Sequence, residues 1–117
     1  YGRAAAEVLE QLKLTEAVKE KLVFGDSVTQ AHQFVRTGAA ELGFVAYSQV
    51  IGDPEAVFWL APDTLHAPIR QDAVLLTHAE NAAAAREYLE FLKSAESHRI
   101  LEAHGYAPDS GEKQGAP

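Results

Sequence analysis

The sequence predicts an α/β fold with a βαβ core and flanking helices. Three observations predict it. Residues 22–24, Leu-Val-Phe, form a short apolar run closed by Gly25-Asp26. From Ser27 onward, Val28, Ala31 and Val35 recur at the spacing of one helix face. Residues 42–46 are then continuously apolar apart from Gly43, the pattern of a parallel strand covered on both faces.

The elements follow in order. Ala4, Val8 and Leu12 repeat every four residues in an Ala-rich stretch, which predicts a helix near 3–12. Thr15-Glu16 begins a short helical turn that runs to Lys21. Ser27 is suited to cap a helix over 27–37, because its hydroxyl can accept from a free first-turn N–H. Gly38 stands where a helix end favours positive φ. Strands are expected near 22–24, 41–46, 56–60 and 68–77. Residues 48–51 read as a short helix or loop, closed by Gly52-Asp53-Pro54, with proline pushing Asp53 out of the helical region. A helix near 80–93 places Ala85, Tyr88, Leu89 and Leu92 on one face. A last helix near 95–104 starts after Ser94, buries Ile100 and Leu101, and is capped by Gly105. Residues 108–117 are rich in Gly, Pro and polar side chains and read as a disordered tail.

Composition bounds the function. The chain has 117 residues, 47% hydrophobic and 23% charged, the balance of one small globular domain. Its formal net charge of -7 argues against nucleic acid and against an anionic membrane surface as partners. A small anion is compatible with that charge, since a local site can oppose the global field. There is no cysteine, which excludes disulfides, thiolate metal sites and a thiol nucleophile.

Three stretches carry a family resemblance. GDSVTQAHQFVRTGAAELGFVAYSQV, residues 25–50, resembles the second-lobe core of the periplasmic molybdate-binding proteins of molybdate ABC importers. HAPIRQDAVLL, residues 66–76, is similar to the segment by which that family crosses back to its first lobe. FLKSAESHRILEAHGY, residues 91–106, resembles the closing helices, a pattern shared by many related solute-binding proteins. The resemblance spans nearly all of residues 1–107. It implies a fragment of a two-lobed, type II periplasmic-binding-protein fold, the C-terminal half of a longer chain. Residues 1–64 would belong to the second lobe, 65–71 would be a hinge-crossing strand, and 72–107 would return to the first lobe. The implied function is non-enzymatic capture of molybdate, or tungstate, in the periplasm and delivery to an ABC permease, with no further cofactor. An incomplete receptor also raises the expectation that elements are exchanged with a second copy.

A dehydrated tetrahedral dianion can be held by neutral donors alone, which cost less to desolvate than lysine or arginine. The turn at 25–29 offers such N–H groups at a helix start, where the dipole favours an anion. Spacing alone leaves this turn open to two readings, an ordinary capped helix or an anion site. The resemblance implies the second. It assigns the oxyanion a backbone N–H at Val28 beside Ser27, and a contact at Tyr1. The family's tyrosine at the end of the second strand aligns with Ala46, while this chain carries its tyrosine one residue later, at Tyr47, which is the candidate for that third contact although adjacent strand residues point to opposite faces.

Other constellations are weaker. His32, His66, His78, His98 and His104 include no i, i+4 pair and no HExxH pattern, and read as surface histidines rather than metal ligands. Nothing pairs Asp63 with Asp72 for acid–base work, and no serine lies in a nucleophile elbow. Arg70 reads as a hinge-region ion-pairing residue. The rival functions are the effector-sensing domain of a transcription regulator, a receptor for another oxyanion such as sulfate, and an enzyme on the same scaffold.

Overall fold

A computed structural model describes residues 1–107 of the chain, so the tail expected over 108–117 lies outside the described residues. The chain divides into two compact units. One is Tyr1–Arg70, and the other begins at Gln71.

The first unit opens with α1, Gly2–Gln11, which buries Ala4 and Val8. Leu12, the third member of the expected stripe, stays 42% exposed because it already lies past the last helical residue. The turn out of α1 is a Schellman motif. Lys13 N–H donates to the Glu10 carbonyl at 2.9 Å and Leu14 N–H to the Leu9 carbonyl at 2.8 Å. Lys13 takes the left-handed conformation there, with φ 57°, which glycine adopts without the Cβ clash. A Lys13→Gly change should therefore stabilise the unit by about 1 kcal/mol, seen as a higher chemical-denaturation midpoint at unchanged slope.

A short helix α2, Thr15–Val18, runs into a 3-10 turn, Lys19–Lys21. Next comes α3, Val28–Arg36, inside the expected 27–37. Its half-buried side is Val28, Ala31, His32, Phe34 and Val35, which contains the predicted face. Gly38 follows with φ 75°, its N–H bonded to the Val35 carbonyl at 3.0 Å. Two more 3-10 turns, Tyr47–Gln49 and Asp63–Leu65, complete the unit, and the second packs on α1.

The second unit holds α4, Ala82–Leu92, and α5, Ala95–Ala103, packed on each other. Asn81 and Ser94 cap them, accepting from Ala84 N–H at 3.2 Å and Ser97 N–H at 3.1 Å. The half-buried side of α4 carries Ala82, Ala85, Leu89 and Leu92. Tyr88, expected on that face, is 60% exposed, and on α5 Ile100 is 49% exposed while Ser97 is buried. The α4–α5 contact is thus made through small residues and leucines. Gly105, φ 81°, closes α5 in a second Schellman motif through Tyr106 N–H to the Leu101 carbonyl, 2.9 Å.

The expected strands are not confirmed. Among the described residues none is in a hydrogen-bonded strand, so 22–24, 41–46, 56–60 and 68–77 run without ladder bonds. The backbone is extended where they begin or end, as at Leu22 (φ -69°, ψ 128°) and Ala46 (φ -74°, ψ 138°). Extended conformation is a local property, but a strand also needs a neighbour whose N–H and C=O groups face it. These runs do not supply that neighbour to one another. The helix-flanked framework is present, and the βαβ core is not confirmed among the described residues.

Candidate functional site

The start of α3 is built by its sequence. Ser27 is extended (φ -148°, ψ 161°), and its hydroxyl oxygen accepts from Gln30 N–H at 3.1 Å. The Gln30 side chain reaches back and accepts from Asp26 N–H at 2.6 Å. Ser27-x-x-Gln30 therefore acts as a variant capping box, with the return bond moved one residue upstream. Ala31 N–H donates to the Ser27 carbonyl at 3.1 Å. What remains is the pair of N–H groups on Val28 and Thr29, which meet no protein acceptor among the described residues.

Gly25 makes this turn possible. A Cβ there would lie 2.9 Å from Ala31 N and 3.0 Å from the Ser27 carbonyl oxygen, both backbone atoms that cannot swing aside. The loop can thus lie directly against the first turn of α3. Gly43 likewise lets the 42–46 run approach the helix, since a Cβ would sit 2.6 Å from Val35 Cγ2. At the C-terminal end, Arg36 Nη1 meets Asp53 Oδ2 at 2.8 Å, while Asp53 Oδ1 accepts from Glu55 N–H at 3.0 Å. One carboxylate therefore joins the end of α3 to the turn that follows Val50.

Tyr47 opens its 3-10 turn directly after Ala46. Gln49 N–H donates to the Ala46 carbonyl at 2.9 Å, and Gln49 Oε1 accepts from Ala46 N–H at 3.1 Å. Ala46 is buried, and the Tyr47 ring packs on Phe58 with centroids 5.6 Å apart at 56°. Strand alternation does not govern these two side chains, because the backbone leaves the extended form between them.

Tyr1 stands at the N-cap of α1 and is 46% exposed. It lines a cavity of about 310 Å³ with Arg3, Ala4 and residues 67–70. Ser27, Val28 and Tyr47 do not line that cavity. Of the four predicted site residues, the structure places Ser27 and Val28 together at one helix start, and Tyr1 and Tyr47 on separate elements. Among the described residues no three His, Asp or Glu side chains gather as metal ligands, and no helix is long and apolar enough to cross a membrane.

The family model of bacterial extracellular solute-binding proteins matches residues 1–107. The chain belongs to that family. Such membership fits a type II periplasmic-binding fold. The molybdate-binding protein ModA of Rhodobacter capsulatus is 48% identical over 109 residues, covering 93% of this chain and 43% of the relative. ModA of Azotobacter vinelandii is 50% identical over 109 residues, covering 91% of this chain and 43% of the relative. A putative ABC transporter substrate-binding lipoprotein, YvgL, of Bacillus subtilis (strain 168) is 27% identical over 110 residues, with 93% and 41% covered. The chain therefore spans about two fifths of the length of the curated relatives it matches. These relatives are named as binding proteins and not as enzymes.

Proposed function

We propose that this chain is the oxyanion-contacting C-terminal portion of a periplasmic receptor that captures molybdate, and accepts tungstate, for an ABC importer. The observation that carries the proposal is the pair of unclaimed N–H groups on Val28 and Thr29, in a chain 48–50% identical to two molybdate-binding proteins. Ser27 and Gln30 take up the neighbouring acceptors and donors, so these two N–H groups are left directed by the helix toward an anion. Tyr1 and Tyr47 are the further contacts, each through its hydroxyl. The relatives' names favour a transport receptor over the sensing domain of a regulator.

In this reading the extended runs complete a βαβ core in the longer protein, residues 1–64 form part of the second lobe, 65–71 cross the hinge, and 72–107 return to the first. Lobe closure buries the ion and is what the permease senses. Binding is by shape and donor count, with no side chain ligating the metal directly.

Titration calorimetry on the receptor that contains this segment is the test, with molybdate, sulfate and phosphate as ligands. Molybdate should bind tightly. Hydrogen phosphate should bind at least about a hundredfold more weakly, because a site of donors leaves its proton without an acceptor. Comparable affinity for phosphate would contradict a donor-only site.

A further inference from the structure

The connecting segment 66–70 has no strand neighbour, yet one side chain of α1 holds it directly. Ala67 N–H donates to Glu7 Oε2 at 2.7 Å, across sixty residues of sequence. The other carboxylate oxygen, Oε1, meets Arg3 Nε at 3.2 Å, one turn earlier on α1. Glu7 is itself held in place, because α1 buries Ala4 and Val8 on the adjoining positions and its side chain is only 31% exposed. Pro68 follows Ala67 and restricts it to the extended region, which stiffens the segment whose N–H Glu7 takes up.

The bond from Glu7 on α1 to Ala67 joins the two walls of the cavity beside Tyr1. Arg3 and Ala4 come from α1, and residues 67–70 form the facing wall. We propose that Glu7 is a positioning residue, which sets the separation of these walls and thereby the placement of Tyr1 and of the segment that leads out of the unit. A carboxylate suits this role because one oxygen accepts from Ala67 on the facing wall while the other is steadied by Arg3 on its own helix, and bonds to a charged acceptor are about twice as strong as neutral ones. The effect on ligand affinity rests on the reading of Tyr1 as an oxyanion contact. The clamp itself does not.

Amide hydrogen exchange at Ala67, resolved by NMR, tests it, together with molybdate calorimetry on the receptor containing this segment. Exchange at Ala67 should speed about tenfold or more in Glu7→Ala and in Glu7→Asp, whose side chain is one methylene too short. Glu7→Gln retains an acceptor oxygen for the Ala67 N–H but not the charge, and should give protection between that of the parent and that of Glu7→Asp. If Glu7→Ala loosens α1 itself, shown by faster exchange at Val8 and Leu9, the comparison of Glu7→Asp with Glu7→Gln decides. Molybdate affinity should fall in the Ala and Asp variants and fall less in the Gln variant. Equal Ala67 exchange in parent and Glu7→Asp would overturn the clamp. Faster exchange with unchanged molybdate affinity would overturn its positioning role. A parent that fails to bind molybdate at all would sink the receptor reading, and the exchange rates would then decide the clamp by themselves.

Discussion

Replacing Val28 with proline should leave α3 folded and remove most of the molybdate affinity. Val28 is the first residue of α3, and Ser27 is its N-cap. Proline is favoured at that position, since its fixed φ suits a helix start and its missing N–H has no intrahelical partner to lose. The residue before proline must be extended, and Ser27 already is, at φ -148° and ψ 161°. The substitution therefore deletes a single donor without breaking the helix or adding a charge. A hydrogen bond to a charged group is worth about 1.5–3 kcal/mol, so affinity should fall about tenfold to a hundredfold. Val28→Ala keeps the N–H and should bind nearly as the parent does. Calorimetry with a thermal melt on each variant separates binding from folding. Unchanged molybdate affinity in a folded Val28→Pro protein would remove this N–H from the site.

The helices were legible because their ends are written in local chemistry. Ser27 and Ser94 at the starts, and Gly38 and Gly105 at the stops, place α3 and α5 within about a residue of the sequence reading. Gln30 carries the same kind of signal, three residues after a serine cap, and the pattern Ser-x-x-Gln would have shown the full brace of the α3 turn. Asn81 is likewise a readable cap for α4. The strands were not legible in the same sense. Runs such as 56–60 have the composition of strands, but pairing is decided by residues distant in sequence. The same limit applies at the site. Ser27 and Val28 are neighbours in sequence and are found together, whereas the Tyr47–Phe58 stacking and the Glu7–Ala67 bond join residues that no periodicity connects. Spacing alone places Leu12, Tyr88 and Ile100 inside. Each is 42% exposed or more, because a helical stripe marks the face that could be buried and not the partner that covers it.

Residues 1–117 alone should self-associate and should bind molybdate weakly or not at all. Among the described residues the buried hydrophobic set is only Ala4, Val8, Ala46 and Val50. Against it stand large apolar side chains left in water, with Phe24 83% exposed, Leu42 89%, Trp59 62% and Val74 79%. These belong to the runs at 22–24, 41–46, 56–60 and 68–77, whose backbone N–H and C=O groups also lack ladder partners. Exposed apolar surface and unpaired extended backbone both favour pairing with another chain. A second copy of the same chain offers matching runs, so exchange of extended segments between copies is the arrangement expected. The oxyanion contacts proposed on this chain are Val28, Tyr1 and Tyr47 with Ser27 beside them, and in the proposed receptor the remaining donors come from the part of the first lobe outside 72–107. Half a donor set leaves part of the dianion's charge without a hydrogen bond, which costs more than the remaining donors return. Size-exclusion chromatography with light scattering at several concentrations, run beside molybdate calorimetry, reads both effects. A monomer at every concentration that takes up molybdate as tightly as the longer receptor would show that the site is complete within these residues and that their exposed apolar runs need no partner.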